Sequence, residues 1–271
     1  MGHLFIILLY WGLAPLHGDV HQQIDALTDA IQSYPDSLEL YVKRGELYLL
    51  DEDLGLAKKD FSHCAQRGLL SARVCTGLSK SFSTDTELDS ALAYINLALE
   101  KEADCIPAME WKAHVLCLKK QPCDAGKVYD ELLRRSATPS PSLFINASNT
   151  WNECPETGCY PKALAILQEG LTRIGELHVL EKEIVRLSVE HEDYETALLW
   201  QTKLIQHTPI PARALVDRAE IYFLAKRERE AQADLQLALN VIDQLPAHRA
   251  ATSSMKALRE KIQLSIHPKQ E

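Results

Sequence analysis

The sequence lacks the short motifs by which the best-known enzyme classes bind phosphate groups, dinucleotides, zinc or an acyl group. It contains no GxxxxGKS/T loop, no GxGxxG turn, no HExxH pair and no GxSxG nucleophile turn. The run from Ser253 to Lys256 matches S-x-x-K, but the companion motifs of that chemistry are absent. We therefore predict no catalytic residue, no cofactor and no metal ion, and we expect that the chain is not an enzyme.

An excess of basic residues is also missing. Lysine and arginine number 29 against 38 aspartates and glutamates, which gives a formal net charge of -9. A net-acidic surface repels the phosphate backbone that supplies most of the affinity for nucleic acid, so we exclude nucleic acid as a partner. No Gly/Ser-rich linker or block of like charges divides the chain, which favours one continuous array over two unrelated domains.

Charged side chains are absent from residues 1–18, which contain no Asp, Glu, Lys or Arg. Leu4 to Leu16 is a mostly apolar run, too short to span a bilayer comfortably but of the length found in the apolar core of a signal peptide. We interpret residues 1–18 as an export signal cleaved after Gly18. The mature protein would then be periplasmic or secreted, with no membrane span. The alternative is an uncleaved N-terminal helix in a cytosolic protein.

A regular ladder of alanines runs through the rest of the chain, with steps of 34 residues broken once by a step of 38. Its members are Ala57, Ala91, Ala125, Ala163, Ala197 and Ala231. The positions four and seven residues after each alanine are apolar or small, with Gln201 as the polar exception in the first of these rows. Spacing of 0, 4 and 7 describes one face of an α-helix, and a period near 34 is typical of stacked helical pairs.

A second ladder of small or compact residues precedes the first and belongs to the other helix of each pair. Its members are Gly45, Ser79, Ala113, Ala147, Val185 and Ala219. Prolines such as Pro35, Pro107 and Pro246 fall between the units, where a residue without a backbone N–H begins or ends a helix at little cost. The two ladders together predict an all-α solenoid of antiparallel helix pairs.

The chain therefore resembles the tetratricopeptide-repeat family over roughly residues 20–245. The residues that carry the resemblance are Tyr41, Gly45, Tyr48, Ala57 and Phe61, and then Leu215, Ala219, Tyr222, Ala231 and Leu235. Arg44, Lys112 and Arg218 depart from the pattern, since they stand where the family usually has an apolar residue. The resemblance implies a right-handed superhelix of about six units with a concave groove that binds peptides or proteins, and it implies no reaction.

The repeat period sets an expected domain plan. Residues 19–37 form an N-terminal capping helix, residues 38–245 form the repeat array, and residues 246–271 form a C-terminal capping helix and tail. The units are expected near 38–71, 72–105, 106–139, 140–177, 178–211 and 212–245. The apolar stripe from Met255 to Ile266 would cover the last unit, as the exposed end of a solenoid requires.

The groove is predicted from first-helix residues that the packing ladders do not use. By phase these are Glu46, Leu49, Leu50, Lys80, His114, Phe144, Trp151, Arg186, Phe223 and Leu224. Trp151, Phe223 and Arg186 belong to residue types that dominate interface energies, so we expect them to anchor a protein or peptide partner. For Trp151 the alternative is packing beneath the loop that carries the four extra residues.

Seven cysteines suggest an oxidising compartment. Three local pairs are candidate disulfides: Cys154 with Cys159, Cys117 with Cys123, and Cys64 with Cys75. Cys105 is left over. The alternative is that these cysteines are small core residues, since unpaired cysteine is among the most buried side chains.

From the sequence we expect an exported, non-enzymatic adaptor or assembly scaffold that binds a protein or peptide. A second hypothesis is a maturation factor that handles thiols or metal through Cys105 and the Cys154 loop. An enzyme with a noncontiguous site in the groove is a third, and no motif supports it.

Overall fold

The computed structural model describes residues 17–82 and 87–266, and all the regular elements in that part of the chain are helical. Residues 1–16, which hold most of the predicted export signal, and the tail 267–271 lie outside the described residues. The chain divides into two compact units, residues 1–135 and 136–271. Each unit is described by itself below.

The described part of the first unit, residues 17–82 and 87–135, contains seven α-helices. They are α1 (His17–Ser33), α2 (Leu38–Leu50), α3 (Leu54–Gln66), α4 (Ala72–Lys80), α5 (Leu88–Lys101), α6 (Ile106–Leu118) and α7 (Pro122–Arg135). Helices that follow one another along the chain contact one another, most extensively within the pairs α2–α3, α4–α5 and α6–α7. The predicted all-α architecture of helix pairs is confirmed in this unit.

The second unit contains the remaining eight helices of the described chain. They are α8 (Pro141–Glu153), α9 (Cys159–Ile174), α10 (His178–Glu190), α11 (Tyr194–Gln206), α12 (Ala212–Leu224), α13 (Glu228–Asp243), α14 (Ala247–Ala250) and α15 (Ser253–Ile266). The pairs are α8–α9, α10–α11 and α12–α13, and α15 packs on α13. Leu258 and Ile262 of α15 are buried in the same core cluster as Leu235 and Ile242 of α13, so α15 closes this core.

The turn inside most of these pairs has one shared geometry. Glu52, Lys120, Glu192 and Lys226 have φ near +60°, and each stands five residues before a ladder alanine. The residue after each of them donates its backbone N–H to a carbonyl five residues earlier, at 2.8–2.9 Å. This is the bond that closes a helix with a left-handed residue after its last turn. Gly158, at φ +86°, holds the corresponding place before Ala163.

The alanine ladder lies at the centre of the packing. All six alanines have no exposed surface. Gln201, the polar exception in the row that follows, is also buried, and its amide donates to the carbonyl of Ala214 at 2.9 Å. The polar group is therefore satisfied within the core, and the interruption of the apolar row does not interrupt the helix face.

The first unit accommodates a phenylalanine by omitting side chains around it. The ring of Phe61 is fully buried, and ideal Cβ atoms built on Gly45 and Gly77 would lie 2.9 and 2.4 Å from its Cζ atom. In the second unit the equivalent residues, 174 positions later, are Leu235 and Ala219, both buried. Phe61, the larger side chain, thus lies opposite a glycine, and Leu235, the smaller one, occurs with an alanine at the equivalent position, as dense packing requires.

A buried ion pair joins the helices of the first pair. The Arg44 guanidinium donates from Nε and Nη2 to the two carboxylate oxygens of Asp60, each at 2.8 Å, and from Nη1 to Thr28 Oγ1 at 3.0 Å. The side chains of Arg44 and Asp60 are 15% and 5% exposed. Bonding to the Asp60 carboxylate raises the pKa of Arg44, so the cation persists at all relevant pH values.

The second unit repeats this ion pair 174 residues later. Arg218 donates from Nε and Nη2 to Asp234 at 2.7 and 2.8 Å, and from Nη1 to Thr202 Oγ1 at 3.0 Å. We call each set of three residues an Arg–Asp–Thr clamp. Arg44 and Arg218 depart from the family pattern because each serves a clamp that links three consecutive helices: α1, α2 and α3 in the first unit, and α11, α12 and α13 in the second.

None of the described helices combines the length and the apolar character that crossing a membrane requires.

Candidate functional site

A cleft in the first unit brings together four of the predicted groove residues. Glu46, Leu49 and Leu50 at the end of α2 and Lys80 at the end of α4 line a cavity of about 430 Å³. Leu54 and Trp111 complete the lining. We call this the Leu50–Trp111 cleft. Its apolar side chains reach solvent, since Leu50 is 60% exposed.

Charge is distributed unequally along this cleft. Arg73 of α4 donates from Nε and Nη2 to the carboxylate of Glu46, both at 2.5 Å, and from Nη1 to Glu39 at 2.7 Å. These bonds raise the pKa of Arg73, and the Arg73 guanidinium compensates the negative charge of the Glu46 carboxylate. Lys80, by contrast, has its ammonium group 5.8 Å from the centre of the Trp111 ring. The cleft therefore presents a cation beside an apolar surface.

Hydrogen bonds to buried groups hold the tryptophan of the cleft in position. Trp111 Nε1 donates to Ser79 Oγ at 2.9 Å, and the Ser79 hydroxyl donates to the carbonyl of Ala91 at 2.7 Å. Ser79 is fully buried, so the chain of bonds is shielded from water. The predicted residue His114 is exposed one turn after Trp111, and the two rings lie 4.8 Å apart. His114 therefore borders the cleft through Trp111.

Two residues that were predicted to line the groove, Phe144 and Trp151, are buried instead. Phe144 is fully buried, with its ring against Gly170, and Trp151 is only 6% exposed, with the Lys162 ammonium 3.5 Å from its ring centre. Phe144 stands three residues before a member of the small-residue ladder, and so does Val42, which is also buried. This position faces the neighbouring helices, because the buried face is wider than the two ladders suggest.

The remaining predicted groove residues lie at the surface of the second unit. Arg186 donates to Glu183 and Glu190 of α10 and to Asn149 of α8, at 2.5–3.0 Å. It lines a cleft of about 620 Å³ together with Lys182 and Asp217. Phe223 and Leu224 are 39% and 52% exposed at the end of α12. Because Arg186 already binds two carboxylates, it has less charge to offer a partner than the sequence suggests.

The three predicted disulfide pairs are not formed. Cys64, Cys75 and Cys159 are free thiols, and Cys117 also carries a reduced thiol, whereas Cys123 and Cys154 each take part in a disulfide. Cys64 and Cys75 are packed in the core instead, as the alternative to bridging proposed. Burial raises the pKa of Cys64 to about 11 and raises that of Cys75, so neither thiol is a good nucleophile.

Sequence reasoning missed a group of possible metal ligands in the second unit. His178, Glu181 and His207 offer ligand atoms that all lie within 4.8 Å of one another. His178 and Glu181 are one turn apart on α10, a spacing visible in the sequence. His207 follows α11 and joins them only because α10 and α11 fold back on each other.

Comparison with known proteins places the fold. No family model and no curated protein sequence matches the chain. Among solved structures, the C-terminal part of a TPR repeat-containing protein from Cytophaga hutchinsonii has a TM-score of 0.64 at 14% identity and covers 87% of this chain and 96% of its own. A tetratricopeptide repeat protein from Parabacteroides merdae has a TM-score of 0.53 at 14% identity, with coverages of 92% and 93%.

A third similar structure is PilW, described as a widely conserved type IV pilus biogenesis factor. Its TM-score is 0.52 at 14% identity, and the match covers 83% of this chain and 99% of PilW. At these identities the likeness concerns the fold. The chain has the fold of tetratricopeptide-repeat proteins, as the two ladders predicted.

Proposed function

We propose that this chain, with its tetratricopeptide-repeat fold, is a non-enzymatic scaffold that binds a protein or peptide through the Leu50–Trp111 cleft. The observation that carries the proposal is an exposed apolar cleft with a cation at its edge. A similar fold in a pilus biogenesis factor supports a role in assembly. Helical repeats bury their core between neighbours and leave extended surfaces for partners, which is consistent with a binding role.

The chemistry of the cleft defines the ligand. Leu49, Leu50 and Leu54 with the fixed ring of Trp111 suit one large apolar side chain, whose full burial is worth about 1.5–3 kcal/mol. Lys80 suits a carboxylate next to that side chain, because the acidic residue of the cleft, Glu46, is occupied by Arg73. The proposed ligand is thus a peptide segment with an apolar anchor flanked by Asp or Glu.

Selection from a displayed library of random dodecapeptides on the full chain tests this. We expect enriched sequences that pair Leu, Phe or Trp with a neighbouring acidic residue. Lys80→Glu should shift the flanking preference from acidic to basic residues, and Leu50→Asp should abolish the enrichment. The matched control is Leu264→Asp, since Leu264 of α15 is equally exposed at 60%.

Each outcome bears on the proposal. If Lys80→Glu leaves the flanking charge unchanged, or if Leu264→Asp reduces enrichment as much as Leu50→Asp, the cleft is not the binding site. If the folded wild-type chain enriches no sequence, the peptide-binding function is rejected.

Export is a separate part of the proposal, supported by the uncharged apolar run in residues 1–18. Cleavage after Gly18 gives a mature chain that begins at Asp19. Mass spectrometry of the protein isolated from its native host tests this. An intact N-terminus, or recovery from the cytoplasm, contradicts export and leaves the binding proposal untouched.

A further inference from the structure

We propose that His178, Glu181 and His207 form a binding site for a divalent transition-metal ion, of which Zn²⁺ is the best fit. The site lies wholly within the second unit and uses no cysteine. It goes beyond the proposed peptide binding and does not depend on it.

The geometry brings three ligands of suitable type to one point. His178 Nδ1 lies 2.9 Å from Glu181 Oε2, and His207 Nδ1 lies 4.0 Å from the other carboxylate oxygen, Oε1. The two imidazole rings are 6.0 Å apart and tilted by 39°. Both histidines therefore face the same carboxylate, one from the first turn of α10 and the other from the residue after α11.

The burial of the carboxylate is the second observation. The Glu181 side chain is only 2% exposed, whereas those of His178 and His207 are 58% and 40% exposed. A buried carboxylate needs a compensating cation, because removing one from water costs several kcal/mol. Among the described residues, the basic side chains in contact with the Glu181 carboxylate are those of the two histidines. A divalent metal ion held by all three side chains would supply the compensating positive charge.

Nearby lysine does not fill this role. Lys203 lines the same cleft as Glu181 and His207, but its ammonium group is 3.7 Å from the centre of the Trp200 ring. That contact is a cation–π interaction and directs the lysine to the aromatic face. Among the described residues, Lys203 therefore does not supply the positive charge beside Glu181.

The ligand types select the class of metal. Two imidazoles and a carboxylate are a known Zn²⁺ ligand set that leaves a fourth position for water or another ligand, whereas Mg²⁺ and Ca²⁺ prefer oxygen ligands alone. In a tetrahedral site with bonds near 2.0 Å, neighbouring ligand atoms are roughly 3.3 Å apart. The observed spacings reach this with small rotations of two exposed rings. Glu181 and His207 also line a cleft of about 530 Å³ together with Trp200.

Zn²⁺ titration of the full chain, freed of metal with a chelator and with its disulfide-bonded cysteines left oxidised, tests the site by calorimetry. We expect one Zn²⁺ per chain and a Zn²⁺-dependent rise in the unfolding temperature. His178→Gln and His207→Gln should each weaken binding by at least about tenfold, since even the groups behind metal ligands are worth that much. Glu181→Gln should remove both the binding and the thermal shift.

The matched control is His248→Gln, because His248 is an exposed histidine of the same unit on α14. It should bind Zn²⁺ as the unaltered chain does. Co²⁺ provides a second readout, since a His/Glu site gives visible absorption bands without the near-ultraviolet thiolate band that cysteine ligands produce. The same variants should lose the visible bands.

Three results overturn the proposal. One is a folded chain that takes up no Zn²⁺. Another is Zn²⁺ affinity unchanged in both His178→Gln and His207→Gln. The third is a Co²⁺ spectrum with a thiolate band that persists in the histidine variants, which assigns the metal to the cysteines. In each case Glu181 and His178 are simply a hydrogen-bonded pair one turn apart on α10.

Discussion

The α2–α3 pair of the first unit and the α12–α13 pair of the second enclose the same buried ion pair with different apolar side chains around it. Both hold a buried Arg–Asp–Thr clamp with the same donors, the same acceptors and bond lengths that agree within 0.1 Å. Around the clamp they differ, because Phe61 lies against glycines where Leu235 lies beside Ala219. The polar contacts are thus the same in the two pairs, whereas the apolar side chains around them differ in size in opposite directions: the pair with the larger Phe61 has glycine at position 45, and the pair with the smaller Leu235 has alanine at position 219.

The surroundings of the two arginines differ as well. The Arg44 guanidinium is 5.6 and 5.7 Å from the rings of Tyr41 and Tyr48, whereas Arg218 is 5.9 Å from Tyr222 and has Leu215 in place of the other tyrosine. The clamp of the first unit therefore has one more aromatic face beside its cation.

Removing the arginine is expected to have the largest effect. Arg44→Met and Arg218→Met each leave a buried carboxylate without its partner, which costs about 3–5 kcal/mol in stability. Replacing the aspartate as well, in Arg44→Met/Asp60→Leu and Arg218→Met/Asp234→Leu, should recover most of the loss, since an apolar pair of similar volume leaves no buried charge. Hydrogen exchange measured separately for α3 and α13 assigns the loss to each unit.

The comparison predicts similar losses in the two pairs, with the larger in the first. If only one of the single variants destabilises its helices, the clamps are alike in geometry but not in energy. If the double variants are no more stable than the single ones, buried charge is not the cause.

Enlarging a glycine under Phe61 is expected to have the next largest effect. Gly77→Ala should destabilise the first unit by about 1–3 kcal/mol, because the new methyl group would meet a buried ring that has no free space to enter. Gly55→Ala is the control: this helical glycine of α3 has only the Asp53 carboxylate within 4 Å, at 3.6 Å, so alanine should stabilise the helix by about 0.5–1 kcal/mol.

Combining Gly45→Ala with Phe61→Leu gives the first unit the residue pair that the second unit has in Ala219 and Leu235. Thermal unfolding should show the double variant to be more stable than Gly45→Ala alone. A double variant with a lower unfolding temperature than either single variant would refute the view that volumes are exchanged between these positions.

Much of the fold was predictable, because the regular spacing of residues such as Ala57 and Ala231 identifies the buried face of each second helix. The two clamps could also have been predicted from the sequence, since Thr28, Arg44 and Asp60 recur 174 residues later as Thr202, Arg218 and Asp234. A search of the polar residues for the period that the alanines keep would have found them.

The candidate site was predictable only in part. Leu50 and Lys80, both predicted groove residues, line the same cleft, but Phe144 is buried, because a large apolar side chain beside the small-residue ladder packs inward. Trp111, which forms one wall, was not among the predicted groove residues. The contact of His207 with Glu181 joins residues that no local period relates, so it required the fold itself.

Removing the threonine of each clamp is expected to have a smaller effect. Thr28→Val and Thr202→Val keep the shape of the side chain but delete the acceptor for Arg Nη1, at a cost of about 1–2 kcal/mol. Since both bonds are 3.0 Å long, denaturant unfolding should give nearly equal losses in the two units. A loss confined to one unit would mean that water replaces the threonine in the other.

The smallest expected effect concerns the turn that precedes each alanine. Glu52 and Lys226 hold φ at +60°, a conformation that costs a side-chain-bearing residue about 1 kcal/mol and costs glycine nothing. Glu52→Gly and Lys226→Gly should therefore each raise stability by a few tenths of a kcal/mol, after the greater unfolded-state entropy of glycine is subtracted. Gly158→Ala is the reverse experiment. Nothing lies within 4 Å of the added Cβ, so the loss of up to about 1 kcal/mol measured by denaturant unfolding would be conformational strain alone. If Glu52→Gly stabilises and Lys226→Gly does not, the difference belongs to the side chains, since the backbone of the two turns is the same.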